Sequence, residues 1–233
     1  MPLPDDLMSG VLLARYKRFL ADVRLPSGER ITVHCPNSGS MLQCAVPGFE
    51  VRLSHSDNPR RKHAWTLEMV HNGTCWIGVN THRANRIVEE ALRAERIREL
   101  AGYSSIARER PYGRNSRIDF LLEGPSGRCF VEVKNVTLVG EDRAYCFPDA
   151  VTTRGRKHLG ELASQVSRGD RAAMLYLVQR SDGTHFRPAA DIDPAYAEAL
   201  RRAHQNGVEI LAYRADVTPA AITLAETVSV HIP

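Results

Sequence analysis

The chain has 233 residues, 43% of them hydrophobic and 25% charged, with a formal net charge of +4. These values fit two modest packed domains rather than a disordered chain, and so small a net charge means that a polyanionic partner must be met by a local basic patch. No apolar run is long enough to cross a membrane, the first residues carry Asp5 and Asp6 instead of a basic signal-peptide start, and the five cysteines lack C-x-x-C spacing, which excludes a zinc ribbon or disulfide scaffold and fits a reduced cytoplasmic setting.

The first third reads as β-structure. Residues 11–25 mix apolar and basic side chains and end in the turn signal Pro26-Ser27-Gly28. A β-branched run covers 30–35, and Pro47-Gly48 opens a strand over 49–55. Two further runs, 65–70 and 74–79, flank His71-Asn72-Gly73, where an Asn-Gly pair calls for a tight hairpin with positive φ at both turn positions. About five short strands with this punctuation predict a small antiparallel barrel over residues 1–82.

The pattern changes near Thr81. Ile87, Ala91, Ala94 and Ile97 form one helical stripe within 85–100, stopped by Gly102. Strands are expected at 117–122 and 129–138 around the turn Gly124-Pro125-Ser126-Gly127. A helix follows at about 153–166, with Leu159, Leu162, Ala163 and Val166 on its apolar face and Arg154, Lys157, His158 and Glu161 opposite. Residues 172–178 are apolar throughout, as in a strand covered on both sides. A helix over 194–205 closed by Asn206-Gly207 and a strand over 208–213 complete an α/β layer domain spanning 83–233.

The hairpin carries the chemistry. With its turn centred between Pro125 and Ser126, Asp119 lies directly opposite Glu132, and Lys134, two residues on, shares their face. Ile118, Phe120, Leu122, Cys129, Val131 and Val133 would then form the apolar core face. Two opposed carboxylates repel unless a cation sits between them, and Mg²⁺ (or Mn²⁺) held by Asp119 and Glu132 would polarise a phosphoryl oxygen and activate water. Lys134 would position that water or stabilise the charge on phosphorus. The same three residues would also serve as an ion-pair cluster on a solvated sheet. Two basic groups could meet nucleic-acid phosphates: Arg15, Lys17 and Arg18 around Tyr16 and Phe19, and Arg154, Lys157 and His158 on one helical face. A third basic run, Arg60, Arg61, Lys62 and His63, follows Pro59. Asp149 is expected to cap the helix or assist the metal, and Glu109 is a more remote carboxylate. No Walker A or G-x-G-x-x-G pattern suggests a small-molecule cofactor.

Longer motifs give a resemblance. Ser116-Arg117-Ile118-Asp119-Phe120, Val131-Glu132-Val133-Lys134-Asn135, Phe147-Pro148-Asp149 and Lys157-His158-Leu159, with Arg15-Tyr16-Lys17-Arg18-Phe19 and His34-Cys35-Pro36-Asn37-Ser38-Gly39 upstream, resemble the sugar fermentation stimulation protein A family. The resemblance implies an N-terminal OB-like β-barrel, a C-terminal PD-(D/E)XK nuclease-like mixed-sheet domain, DNA binding, and a role in regulating sugar (maltose) metabolism. By position it makes Asp119 and Glu132 the acidic ligands and Lys134 the lysine, although Ile118 replaces the proline before the first acid. Two functions follow: a Mg²⁺-dependent DNA nuclease, or a non-catalytic DNA-binding regulator with a vestigial nuclease site. The sequence leaves open whether the protein forms a homo-oligomer.

Overall fold

The computed structural model describes residues 1–113 and 115–232. The first domain holds β1 (Met8–Tyr16), β2 (Leu20–Arg24), β3 (Arg30–His34), β4 (Glu50–His55), β5 (Trp65–His71) and β6 (Trp76–Gly78). Their order is β3-β2-β1-β4-β5-β6, and a parallel bridge between His34 and Thr66 joins β3 to β5. That bridge closes five strands into an OB-type barrel. Alternating side chains fill it, with Leu12, Val23, Val33, Val51, Leu53 and Leu67 all fully buried. The β5–β6 turn departs from expectation. Only Gly73 has positive φ, and the Asn72 carboxamide accepts from the amides of Thr74 and Cys75, so a side chain organises a longer turn.

The second domain contains α1 (Ala84–Arg93), β7 (Ser105–Tyr112), β8 (Ser116–Gly124), β9 (Gly127–Val136), β10 (Leu138–Val139), β11 (Ala144–Phe147), α2 (Thr153–Val166), β12 (Arg171–Val178), β13 (His185–Pro188), α3 (Pro194–Gln205), β14 (Glu209–Val217) and β15 (Ile222–Thr227). The main sheet runs β15-β14-β12-β9-β8-β7, parallel through β9, β12 and β14 and antiparallel outside them. A small sheet, β10-β11-β13, lies beside it. β7 carries Pro111, which an edge strand tolerates because its missing N–H breaks no ladder.

Both faces of the main sheet are apolar, and this corrects the sequence expectation of one core face and one polar face. Phe120, Leu122, Cys129, Val131 and Val133 pack with α1. Phe130, Val136, Met174 and Tyr176 pack with Leu159 and Leu162 of α2 and Leu200 of α3. Ile118, expected beside Phe120, belongs to this second layer. Residues 172–178 are completely buried, as a strand between two helical layers must be. The α1 helix ends at Arg93, earlier than expected, because Glu95 takes a left-handed φ of 52° and a short 3-10 turn follows at Arg98–Leu100.

The two domains share polar and apolar contacts. The Gly78 amide donates to the Gln179 carbonyl at 2.9 Å, and Arg180 reaches the Thr137 carbonyl at 2.6 Å and the Gln43 side chain at 3.2 Å. Met1 and Leu3 pack in the core of the second domain, and Leu3 donates to the Ala220 carbonyl. These residues therefore sit apart from the barrel to which the sequence reading assigns them. All five cysteines are free, and no described helix is long and apolar enough to cross a membrane.

Candidate active site

The β8–β9 hairpin turns at Pro125-Ser126, between the paired residues Gly124 and Gly127. Its ladder places Phe120 opposite Val131, so the next step brings Asp119 to Glu132. Here the strands begin to part. The Asp119 carboxylate takes the place of a backbone partner and accepts the Val133 amide at 2.8 Å, while its other oxygen accepts from Asn85 of α1 at 2.8 Å. Burial, and then the neighbouring charge of Glu132, push the Asp119 carboxyl above its ordinary value, against the pull of the Val133 amide, Lys134 and Asn85.

Glu132 is 3% exposed and points into the layer covered by α2. Its Oε1 receives Lys134 Nζ at 2.6 Å and is bonded to His158 Nδ1. Burial works to raise the Glu132 carboxyl, but the bond from His158 and the charge of Lys134 outweigh it and hold the group below its ordinary value. Oε2 is buried and has no hydrogen-bond partner among the described residues. Arg154 Nε donates to His158 Nε2 at 3.3 Å, which makes Nε2 the acceptor and assigns the ring proton to Nδ1, toward Glu132. Sequence reasoning put His158 on a solvated basic face. The structure buries it instead, because Glu132 on the sheet satisfies its polar edge, and Glu161, expected on the same face, is buried as well.

Thr152 caps α2, accepting the Gly155 amide at 3.0 Å, and this fixes where Arg154 and His158 meet the sheet. Asp149 is therefore not the cap. It docks the barrel: its carboxylate accepts the Met41 amide at 3.0 Å and its carbonyl accepts Ser40 Oγ at 2.6 Å. Arg15 also turns inward, and its guanidinium donates to the carbonyls of Asn37, Gly39 and Ser40. Lys17 and Arg18 form the exposed β1–β2 turn, both with left-handed φ. Arg154 and Lys157 are exposed, Lys157 lying 3.6 Å from Glu161. Glu109 is exposed on the edge strand. A cleft of about 340 Å³ opens between the domains, lined by Asn37, Ser38 and Gly39 of the barrel and by Asn85, Lys134 and Asn135 of the second domain.

The donor set can be tested against a metal. Among the described residues no group of three or more His, Cys, Asp or Glu is arranged to hold one. Two carboxylates with a buried, unpartnered oxygen suit a hard cation that keeps most of its waters, as Mg²⁺ does. Tyr112, whose buried hydroxyl also lacks a partner among the described residues, was not anticipated. Its phenol is pushed upward by burial and then by the charges of Glu132, Glu161 and Asp119. Nothing in the local pattern of an edge strand signals that proximity.

Residues 13–79 match the SfsA N-terminal OB domain, and residues 82–221 match the sugar fermentation stimulation protein RE domain. A sugar fermentation stimulation protein homolog of Pelobacter propionicus is 55% identical over 230 residues, covering 99% of each chain. Another, of Geobacter metallireducens, is 56% identical over 231 residues, again covering 99% of both. Among solved structures, SfsA of Pyrococcus furiosus in complex with Ca²⁺ superposes with a TM-score of 0.91 at 27% identity, covering 100% of this chain and 98% of that one.

Proposed function

The chain belongs to the sugar fermentation stimulation protein family, and from that premise we propose that it binds DNA and hydrolyses phosphodiester bonds with a divalent cation, Mg²⁺ or Mn²⁺, held by Asp119 and Glu132. The observation that carries this reading is Glu132 Oε2, buried, without a partner, and next to an Asp119 carboxyl that burial and like charge destabilise. A buried polar atom without a partner costs about 1–3 kcal/mol, and a bound cation would remove that cost and the carboxylate repulsion together. The Ca²⁺ in the Pyrococcus furiosus relative supports a divalent cation in this fold.

The cation, when bound, would polarise the phosphoryl oxygen and lower the pKa of a bound water. The chain's own residues do the rest. Lys134 and His158 both engage Oε1, which leaves Oε2 as the donor. Asn85 and the Val133 amide fix the orientation of Asp119. Lys134, at the edge of the cleft, places a positive charge where the phosphorus gains negative charge. Lys17, Arg18, Arg154 and Lys157 are assigned to phosphate contacts, and Arg15 and His158 to positioning. We assign the activity to the cytoplasm and to regulation of sugar metabolism, in keeping with the free cysteines and the family's name.

The test is a Mn²⁺ titration followed by incubation with single-stranded and duplex DNA. Saturable cation binding and cleavage in the wild type, both lost in Asp119→Ala and Glu132→Ala with an unchanged fold, are expected. The saturation of both Asp119 oxygens by Asn85 and the Val133 amide favours a second reading, a DNA-binding regulator without catalysis. DNA binding with no cleavage under any divalent cation would establish that reading and overturn the first.

A further inference from the structure

The basic run at residues 60–63 plays no part in the site above, yet the fold gives it a place. It lies in the loop between β4 and β5. There Arg61, His34, His55, His82 and Arg83 line a groove of about 460 Å³. Its one buried acid, Glu68, is already satisfied. Both carboxylate oxygens are taken, by Ser54 and Arg83 on one side and by Asn80 and Arg83 on the other. Asp57, fully exposed at the rim, pairs with His55 at 3.1 Å. The remaining groups, His34, Arg61 and His82, face one another without an anion between them. The His34 and His82 rings are 6.5 Å apart, and Arg61 is held in place by a 2.7 Å bond to Thr66. Burial, and then the charges of Arg61, His82 and His63, depress the basicity of His34. Arg61 supplies a fixed positive charge and the His34 and His82 rings supply N–H donors beside it, a set that suits an oxygen anion.

The groove adjoins the cleft across a short segment of chain. Thr81 lines the cleft, and its neighbour His82 lines the groove. Three residues further on, Asn85 lines the cleft and holds Asp119. Thr81 is fastened to the Pro36 carbonyl through its amide and its hydroxyl, so this short segment is a fixed ridge between the two depressions. A volume of about 340 Å³ has room for one nucleotide-sized unit.

We propose that the groove formed by His34, Arg61 and His82 binds a backbone phosphate of single-stranded nucleic acid whose neighbouring nucleotide occupies the cleft at Lys134. The site rests on the nucleic-acid reading above but does not require catalysis. A single strand crosses the ridge at Thr81-His82, with one nucleotide between the domains and the next phosphate against Arg61. Arg61 lies in the loop joining the fourth and fifth strands, one of the loops with which OB barrels bind oligonucleotides, and a concave basic surface there can follow a backbone without reading sequence.

The experiment is equilibrium binding of a fluorescent single-stranded DNA 12-mer and of its duplex, in Ca²⁺, across a series of salt concentrations. Wild type is compared with Arg61→Ala, His82→Ala and Lys62→Glu. The expected result is tighter binding of the single strand, weakened about 5–10-fold in Arg61→Ala, with the log–log salt slope reduced by about 0.7 for each lost phosphate contact. Thermal melting accompanies each variant. If Arg61→Ala melts early, His82→Ala, a change at an exposed residue lining the groove, supplies the reading and must weaken binding in the same way. Wild-type binding with unchanged affinity and slope in the variants overturns the groove while leaving nucleic-acid binding intact. Equal binding of the duplex overturns the single-strand assignment. Absence of any nucleic-acid binding by wild type overturns both this site and the function it rests on.

Discussion

Two buried glutamates, one in each domain, have similar surroundings and opposite consequences. Glu68 is 1% exposed in the barrel, and Ser54, Asn80 and Arg83 occupy both of its oxygens. Glu132 is 3% exposed in the second domain, with Lys134 and His158 both on Oε1 and, among the described residues, nothing on Oε2. Burial raises each carboxyl, and cationic and hydrogen-bonding neighbours pull each below its ordinary value. Charge and burial do not separate the two, but satisfaction does. A saturated buried carboxylate is a fastening, whereas one with a spare oxygen beside a second carboxylate retains a capacity to bind.

The largest effect that tests this contrast belongs to the fastening. Glu68→Ala leaves the half-buried Arg83 without its partner and removes the hydrogen bonds to Ser54 and Asn80, and is expected to destabilise the protein by about 3 kcal/mol in denaturant unfolding, with cation binding unaltered at temperatures where the fold persists. Loss of cation binding in that folded variant would dissolve the distinction. Glu132→Gln should do the reverse. It should keep the fold and lower metal-dependent cleavage by at least about 10²-fold, with loss of saturable Mn²⁺ binding. A variant that still binds Mn²⁺ with wild-type affinity would make Glu132 a fastening too. A smaller effect is expected from Thr152→Ala, which removes the cap of α2 for about 1 kcal/mol in thermal or chemical melting. Because α2 carries His158 to Glu132, that variant should also weaken Mn²⁺ binding, which a purely local cap loss would leave unchanged.

The contrast also shows what could be read from the sequence. The hairpin register was legible because a two-residue turn and a period of two fix which residues oppose, and the ladder from Gly124–Gly127 to Phe120–Val131 runs as that arithmetic requires. The wholly apolar run at 172–178 was legible for the same reason, since a strand covered on both faces has no polar position. His158 was not. A helical pattern shows which residues are polar, but it cannot show that a sheet carboxylate 26 residues away will satisfy one of them in the interior. Arg15 was hidden similarly, because its partners are backbone carbonyls of a distant loop, and carbonyls leave no mark in the side-chain pattern. The strands β10, β11 and β13 were too short for periodicity to register.

The finest test concerns how the metal-free site responds to pH, where its two carboxylates act with opposite sign. The folded-state value of Asp119 is raised above its ordinary 3.8, so the unfolded chain loses this proton first. The fold is penalised from about that pH upward, and the penalty is complete once the folded group has also ionised. Glu132 is lowered from its ordinary 4.5, so its contribution favours the fold above that value and fades as pH falls through the folded value. Asp119→Asn removes only the first effect. The substituted amide oxygen can still accept the Val133 amide, and Asn85 can turn its own carboxamide to present oxygen to the new donor. In metal-free buffer the variant should therefore gain stability relative to wild type as pH rises from 3.8, the gain levelling off above the folded value. Added Mn²⁺ should raise the wild-type melting temperature more than that of the variant, because only the wild type has the charge repulsion that a cation relieves. Parallel metal-free stability profiles would mean that Asp119 and Glu132 do not repel, and the case for a cation between them would lose its physical basis.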